Sequence, residues 1–133
     1  MRILFANKYL YQKGGSESYM FSLAEGLEKL GHEVEFLGMH SQYNKVNSKY
    51  TITNLEDKKI VNPLNLIYSN EAYRMMDLAI KEFKPDIIHI NIFNFQLTTS
   101  IISAAVKNNV PVVHTIHDPQ IVCANHRLFN EIE

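Results

Sequence analysis

The sequence predicts an α/β domain: a Rossmann-like, doubly wound parallel sheet with helices on both faces, in three α/β/α layers. Short apolar runs that suit buried strands alternate with amphipathic helical patterns along the whole chain. The first two strand-like runs begin about 30 residues apart, which is the length of one strand–helix–strand unit. With 133 residues, 46% hydrophobic and 20% charged, the chain has the size and composition of one globular domain.

The first strand and the first helix are separated by a loop that contains two glycines. Residues 2–7 include the apolar run Ile3-Leu4-Phe5-Ala6, which suits a strand buried on both faces. Apolar side chains then recur at helical spacing, and we predict a helix over residues 17–30. We expect Ser16 to cap its start, and Gly31 stands where a left-handed residue commonly ends a helix.

The remaining elements follow in the same alternation. Residues 34–38 form a second strand, and residues 39–62 form a long polar excursion. Two short runs in the excursion resemble strands, at residues 50–53 and 60–61. Asn62 and Pro63 start a helix that is predicted to continue unbroken until just before Pro85. The last predicted elements are a strand, a helix and a strand, at residues 86–90, 96–107 and 112–116.

Composition and charge disfavour several classes of function. The formal net charge of −1 gives no field that would attract nucleic acid over the whole surface. Cys123 is the single cysteine, so no internal disulfide can form and nothing argues for secretion. The first residues lack the pattern of a signal peptide, and no apolar run approaches the roughly 20 residues that span a bilayer. We therefore expect a cytoplasmic protein.

Polar residues follow each predicted strand, at the edge where doubly wound sheets bind ligands. After the first strand, Gly14-Gly15-Ser16-Glu17 precedes the helix. Absent side chains let a ligand approach the backbone there, and free N–H groups at a helix start favour a phosphate. The turn matches neither G-x-G-x-x-G nor the P-loop, so a phosphate site and a plain turn into the helix are both open. The tyrosines around this loop can pack on a substrate ring or within the protein: Tyr9, Tyr11 and Tyr19.

The fourth strand ends in His114-Thr115-Ile116-His117-Asp118. Strand alternation puts His114 and His117 on opposite faces, so they do not converge on a metal ion. No nucleophile completes a Ser-His-Asp triad. His89 and His114 lie within apolar runs, which favours hydrogen-bonded core histidines. His117 stands at the end of the strand and is the better functional candidate.

In their order and spacing, these segments resemble the N-terminal domain of family 4 glycosyltransferases. The resemblance rests on the opening strand and on four further segments: residues 14–17, 30–34, 85–89 and 111–118. It implies one half of a GT-B architecture, in which two Rossmann-like domains face each other across a cleft. Such an enzyme transfers a sugar from a nucleotide-sugar donor to a sugar or lipid-linked acceptor with retention of configuration. The resemblance implies no cofactor, no metal and no nucleic-acid partner.

The resemblance also implies roles for individual residues. Gly14 and Gly15 would approach the donor diphosphate, and His117 would be the catalytic residue that hydrogen-bonds the transferred sugar. The implied acceptor contacts are Asn91, Asp118 and Glu17. Residues 1–133 would be the acceptor-side domain of a longer protein whose second domain binds the nucleotide. We expect this chain alone to be inactive, because two glycine amides neutralise only part of the charge on a diphosphate leaving group.

Two alternatives from other classes stay open. One is a stand-alone α/β binding module that acts with a separate catalytic partner chain. The other is a flavodoxin-like or regulator-like domain, which the absence of an acidic pocket after the first strand disfavours. The sequence identifies neither the donor sugar nor the acceptor, although the excursion at residues 39–62 is placed to shape acceptor choice. Peripheral membrane association of the full-length protein is compatible with the resemblance.

Overall fold

A computed structural model of the chain describes residues 1–57 and 62–117, and a parallel β-sheet forms its centre. In chain order the elements are β1 (Arg2–Ala6), α1 (Gly15–Lys29), β2 (Glu33–Met39), β3 (Tyr50–Ile52), a 3₁₀ helix (Leu55–Asp57), α2 (Leu64–Ile67), α3 (Asn70–Phe83), β4 (Ile87–Ile90), α4 (Ser100–Lys107) and β5 (Val112–His114). The strand-like run at residues 50–53 is β3. The run at residues 60–61 lies outside the described residues, as does Cys123.

The strands lie in the order β3-β2-β1-β4-β5, and every neighbouring pair is parallel. In the middle of the sheet, Phe5 of β1 stands beside Phe36 of β2 on one side and His89 of β4 on the other. The chain winds outwards in one direction from β1 to β3 and in the other from β4 to β5. This confirms the predicted doubly wound class and places a crevice at the carboxyl ends of β1 and β4.

Helices cover both faces of the sheet, which gives the three predicted layers. On one face α1 packs over a small core of six buried side chains: Ile3, Phe5, Leu10, Met20, Ala24 and Phe36. On the other face α3 and α4 cover a larger core, which includes Leu4, Leu37, Met76, Ile88, Ile90 and Ile101. Successive residues of β1 therefore enter opposite cores, as expected of a strand buried on both faces.

Helix α1 begins two residues earlier than predicted. Gly14 is its N-cap, and no side chain caps the helix there, so the expected cap by Ser16 is wrong. Glu17 lies in the first turn of this longer helix, and its side chain turns inward to accept a hydrogen bond from Asn7. The predicted helix end is confirmed, because Gly31 has a φ of 85° and its N–H donates to the carbonyl of Glu28 at 2.9 Å.

The single long helix predicted from Asn62 onwards is wrong, because two helices, α2 and α3, occupy this stretch. Tyr68 between them is extended, with φ −144° and ψ 117°. The hydroxyl of Ser69 then caps α3, while the amide of Ser69 donates to Thr98 Oγ1 at 3.1 Å. Helix α2 begins at Leu64 with Pro63 as its N-cap, so the predicted cap, Asn62, lies one residue too early. Asn62 Oδ1 nevertheless accepts a hydrogen bond from the Leu64 amide at 3.0 Å.

Helix α4 begins at Ser100 rather than at residue 96. Phe95 and Thr98 have left-handed backbones, with φ of 65° and 57°, which a continuous helix excludes. Gln96, only 3% exposed, reaches back to accept a hydrogen bond from the Leu55 amide at 3.4 Å. The residues before α4 therefore form a folded turn at the carboxyl edge of the sheet.

Candidate functional site

Asn7 organises the crevice between β1 and β4, and the sequence analysis did not single it out. Its side chain is fully buried, and Nδ2 donates to the carbonyl of Tyr9 at 2.7 Å and to Glu17 Oε1 at 3.1 Å. Its Oδ1 accepts from the amide of Ile92 at 2.9 Å. One side chain thus joins the glycine-bearing loop, α1 and the end of β4. The sequence feature that could have identified Asn7 is its position directly after β1, where ligands bind in such sheets.

Gly14 and Gly15 lie at the start of α1, and both are exposed. Neither has a positive φ. A side chain at Gly15 would meet no atom within 4 Å, and one at Gly14 would meet only Glu17 Oε2, at an ordinary 3.6 Å. The fold itself does not need glycine at either position, and the space that side chains would fill is open to a ligand. As at any helix start, the first backbone amides have no partner within the helix.

Glu17 is 2% exposed and lies between the glycine turn and Asn7. Within residues 1–57 and 62–117, the side-chain Nδ2 of Asn7 is the hydrogen-bond donor to its carboxylate. A carboxylate in the first turn gains from the positive end of the helix dipole. Its predicted contact with an acceptor stays a prediction, and the geometry adds a second role, that of holding Asn7 against α1.

The structure brings together the predicted residues His117 and Asn91. The Nε2–H of His117 donates to Asn91 Oδ1 at 2.8 Å, so the Nδ1 of the neutral ring is left as an acceptor. The ring of Tyr19 packs edge-to-face against His117, with 5.3 Å between centroids. His117 itself is exposed at the crevice. Asp118, the residue that follows it, lies outside the described residues.

Asn91 is the buried anchor of this pair. It is 2% exposed, and its backbone carbonyl accepts a hydrogen bond from His114 Nε2 at 3.0 Å. Its Nδ2 is one of two buried side-chain polar atoms that lack a hydrogen-bond partner in the described part of the chain. Asn91 also lines a cavity of about 10 Å³, together with His114, His117 and the segment at residues 92–94. This volume is close to that of one water molecule.

His89 and His114, the two histidines within the predicted strands, are half-buried and hydrogen-bonded, as predicted. His89 packs beside Phe5, and its Nε2 shares a 2.7 Å hydrogen bond with Thr115 Oγ1. Burial lowers the pKa of His89 below its ordinary value of 6.5, and the neighbouring His117 and His114 lower that pKa further. His114 packs on Phe93, whereas His117 packs on Tyr19. Within residues 1–57 and 62–117, no group of three or more His, Cys, Asp or Glu side chains is arranged to hold a metal ion.

Charges cluster on the other side of the glycine-bearing loop, around Tyr9. The hydroxyl of Tyr9 donates to Glu56 Oε1 at 2.9 Å, and Lys8 Nζ lies 3.2 Å from the same oxygen. The hydrogen bond from Tyr9 is the main cause of a lowered pKa of the Glu56 carboxyl, and Lys8 adds to it. Lys13 Nζ stands 3.8 Å from the centre of the Tyr9 ring, a cation–π distance. The loop is therefore fastened to the 3₁₀ helix.

None of the helices in the described residues is both long and apolar enough to cross a membrane.

The chain is similar in sequence to known proteins. The sequence model of Glycosyltransferase Family 4 matches residues 13–132, which include Gly14, Gly15, Asn91 and His117. A curated relative from Klebsiella pneumoniae, named "Uncharacterized 42.6 kDa protein in cps region", is 26% identical over 149 residues. The alignment covers 97% of this chain and 40% of the relative. The chain thus spans two fifths of the length of that relative.

Proposed function

This chain belongs to glycosyltransferase family 4, and on that premise we propose that the protein transfers a sugar from a nucleotide-sugar donor to a sugar or lipid-linked acceptor, with retention of configuration. The location of the relative in a cps region supports a role in polysaccharide biosynthesis. In the proposed reaction the bond from the sugar to the donor diphosphate breaks, a bond to an acceptor hydroxyl oxygen forms, and the hydroxyl proton is released. No metal or other cofactor takes part in it.

The observation that carries this proposal is the pair of glycines at the start of α1. Gly38, elsewhere in the sheet, has backbone and side-chain atoms within 3 Å of where a Cβ would stand, so the protein's own packing explains that glycine. Packing does not explain Gly14 or Gly15, whose missing side chains leave open space beside amides that no side chain caps in the described part of the chain. A diphosphate that approaches the backbone would use both the space and the amides.

His117 and Asn91 supply the second half of the proposed site. With Nε2–H committed to Asn91, Nδ1 of the neutral imidazole can accept a hydrogen bond from a hydroxyl of the transferred sugar. Tyr19 packs against the ring and restricts its rotation. The two acceptor contacts proposed for described residues are Asn91 and Glu17. Of these, Asn91 offers an Nδ2 without a partner in residues 1–57 and 62–117.

We assign the remaining charge neutralisation to a second domain that binds the nucleotide. A leaving diphosphate develops negative charge that must be balanced in the transition state. Within residues 1–57 and 62–117, three lysines that contact the glycine-bearing loop or belong to it have other partners: Lys8 pairs with Glu56, Lys13 lies over the Tyr9 ring and Lys45 donates to Gln12. The 133-residue chain by itself is therefore expected to be inactive.

The proposal is tested by an alanine substitution in α1 with a matched control. Gly15→Ala and Gly26→Ala both add a methyl group where no atom lies within 4 Å, and alanine is the better helix former by roughly 0.5–1 kcal/mol. Protein from the complete natural reading frame is assayed for nucleotide release and product formation with UDP-glucose, UDP-galactose, UDP-N-acetylglucosamine and GDP-mannose. NMR of the product reports the anomeric configuration.

We expect Gly26→Ala to keep full activity and Gly15→Ala to lose about tenfold or more in kcat/KM. The added methyl group would occupy the space through which the diphosphate approaches the backbone amides, and losing such an electrostatic contact typically costs at least that much. Equal activity of the two variants would reject the diphosphate role of the turn. Absence of donor turnover by the complete protein with every acceptor class would favour the stand-alone binding module instead.

The proposed location is the cytoplasm, with contact to a membrane surface for a lipid-linked acceptor. Exposed apolar side chains near the carboxyl edge of the sheet support this contact: Leu64, Ile67 and Phe95 are 68%, 72% and 53% exposed. Sedimentation of the complete protein with anionic vesicles, compared with an Ile67→Ser variant, tests it. Unchanged sedimentation of the variant would exclude this surface.

A further inference from the structure

Asn7 connects the two halves of the proposed site through one buried side chain. One half is the glycine turn at the start of α1, and the other is the hydrogen-bonded pair of Asn91 and His117. Asn7 lies between them, directly after β1, and is fully buried. Its three hydrogen bonds reach the glycine-bearing loop, the helix and the end of β4 separately.

Towards α1, the connection runs through Glu17. Asn7 Nδ2 donates to Glu17 Oε1 at 3.1 Å. The other carboxylate oxygen of Glu17 lies 3.6 Å from the point where a Cβ on Gly14 would stand. Because Glu17 and Asn7 are both buried, this contact holds the first turn of α1, with its glycines, against the end of β1.

Towards β4, the connection runs through Ile92. The amide of Ile92 donates to Asn7 Oδ1 at 2.9 Å, and its carbonyl accepts from the Lys8 amide at 2.6 Å. Both polar groups of this peptide unit are therefore held by the residues that follow β1. The preceding residue, Asn91, accepts the hydrogen bond from His117. A shift of Ile92 would move Asn91 with it and change the distance from His117 to β1.

The three hydrogen bonds require a side-chain amide. The Tyr9 carbonyl and the Glu17 carboxylate are acceptors, whereas the Ile92 amide is a donor. One planar primary amide supplies both kinds of partner. A carboxylate of the same shape would keep the bond from Ile92, but it would turn an oxygen towards two other oxygens, which is unfavourable in a buried place.

A second contact between the two halves is aromatic and controls the spacing less closely. Tyr19 lies one helical turn after Gly15 and packs on His117 with 5.3 Å between ring centroids. Aromatic pairs occur over centroid distances of about 4.5–7 Å, whereas N–H···O hydrogen bonds span only about 2.7–3.2 Å. The closer control of the spacing therefore comes from Asn7.

We propose that Asn7 is a positioning residue for the transfer reaction. It sets the spacing between the glycine turn, which binds the donor diphosphate, and His117, which binds the transferred sugar, and it acts through Glu17 and Ile92. The inference rests on the proposed function. Each half still binds its own part of the donor when the spacing changes, but the reacting groups lose alignment, and a displacement of about 1 Å can cost about 100-fold in rate. The effect should therefore fall on kcat.

Asn7→Asp tests this role against a control with the same chemistry elsewhere in the fold. Asn108 Nδ2 also donates to one carboxylate, Asp77 at 2.9 Å, and to one backbone carbonyl, Ala104 at 2.8 Å, but it lies at the end of α4, before β5 begins. In the complete natural protein, both Asn7→Asp and Asn108→Asp should unfold at a lower urea concentration. We expect Asn7→Asp to lower kcat about tenfold or more while the donor KM stays within about threefold, and Asn108→Asp to keep the kcat of the unaltered protein.

A second substitution should restore part of the lost rate. Glu17→Gln, added to Asn7→Asp, supplies an amide that can donate to the new carboxylate, so the contact between β1 and α1 forms again with donor and acceptor exchanged. The Tyr9 carbonyl still lacks its donor, so the recovery is partial. We expect the double variant to exceed the kcat of Asn7→Asp by about threefold or more. A kcat equal to or below that of Asn7→Asp would contradict positioning through α1.

NMR titration of the complete protein with UDP and with GDP tests the connection without turnover. We expect one of these nucleotides to shift backbone amide signals at residues 14–17 and at Ile92, and Asn7→Asp to lose the response at Ile92 while it keeps the response at the turn. In the unaltered protein, a response at the turn without one at Ile92 would overturn the inference and leave the diphosphate role of the turn intact. So would a response at Ile92 that persists in Asn7→Asp, or equal kcat in the two aspartate variants.

The proposed function fails on different results. If neither nucleotide shifts the signals at residues 14–17, the diphosphate role of the turn and the inference fall together. If both regions respond but the complete protein consumes no nucleotide sugar, the connection through Asn7 stands and the transferase assignment is lost.

Discussion

Gly38 packs against the loop that carries the candidate site, and its replacement by alanine should displace this loop and destabilise the protein. A Cβ on Gly38 would stand 2.5 Å from the backbone oxygen of Asn7, and 2.7 Å and 2.9 Å from two atoms of Leu10. Ordinary contacts between carbon and oxygen are about 3.3–3.6 Å even when they are attractive. The strand and the loop must therefore separate by about 0.8–1.1 Å to accept the methyl group.

The loop cannot give way cheaply, because hydrogen bonds hold it on three sides. The amide of Asn7 donates to Leu37 at 3.0 Å, the carbonyl of Lys8 accepts from Met39 at 3.0 Å, and Asn7 Oδ1 accepts from Ile92 at 2.9 Å. Overpacking costs about 1–3 kcal/mol, and a weakened hydrogen bond adds roughly 0.5–1.5 kcal/mol. We expect Gly38→Ala to lower the free energy of unfolding by about 2–4 kcal/mol.

Urea denaturation followed by circular dichroism measures this loss as a lower transition midpoint at an unchanged slope. Gly26→Ala is the control of opposite sign, since its methyl group meets no atom within 4 Å and should raise stability by roughly 0.5–1 kcal/mol. If Gly38→Ala unfolds at the midpoint of the unaltered protein, the packing argument at Asn7 and Leu10 is wrong. Because the same loop leads to Gly14 and Gly15, activity should fall with stability in this variant.

Three further predictions concern the crevice. Asn91→Leu should preserve or raise the unfolding midpoint, because it removes a buried amide whose donor has no partner in the described residues, and it should lower kcat/KM about tenfold. In a His117→Ala background the same substitution should change kcat/KM little. Additive losses in this double-mutant cycle would show that Asn91 does not act through His117. Glu17→Gln keeps an oxygen for Asn7 Nδ2 and should lose only the helix-dipole contribution of the charge, about 0.3–1 kcal/mol, whereas Glu17→Ala should lose about 1–3 kcal/mol more. Similar midpoints for Gln and Ala would contradict this, and a raised acceptor KM in Gln would support the predicted acceptor contact. The pKa of His89 in the folded protein lies below 6.5, so the unfolded chain binds more protons than the folded one. The free energy of unfolding therefore falls as the pH drops from about 6.5 to that lower pKa, and then levels off. His89→Gln should reduce this dependence of stability on pH in urea titrations between pH 7.5 and 5, and an unchanged dependence would exclude His89 as its source.

The sequence was sufficient for the sheet and for the helices whose ends are local events. The end of α1 at Gly31 could be predicted from the sequence alone, because a left-handed helix end depends on one residue. The break between α2 and α3 could not be predicted from local sequence, because Ser69 is held there by Thr98, a residue 29 positions further along the chain. The late start of α4 has the same origin, since Gln96 is drawn from the helical pattern by contact with Leu55. Tertiary contacts overrode local periodicity at both places.

The site was predictable as a location and less so as a set of contacts. The rule that ligands bind where strands end pointed to Asn91 and His117, and the structure joins them by a hydrogen bond. Asn7 was missed because its three bonds reach Tyr9, Glu17 and Ile92, which only the sheet order brings together. The inward turn of Glu17 was hidden for a related reason: its partner lies ten residues earlier, across the loop.

The burial of polar groups at the crevice argues for function rather than stability. Elsewhere the two sheet faces are filled by aliphatic and aromatic side chains, which is the more stable choice for a domain of this size. At the strand ends the chain instead buries Asn7, Glu17 and Asn91, each 2% exposed or less. Asn91 Nδ2 has no partner among residues 1–57 and 62–117. An unsatisfied buried donor costs about 1–3 kcal/mol, a cost that leucine would avoid. A domain that only had to fold would not retain it, whereas a site that must donate to a substrate oxygen has to keep such a group free until the substrate binds.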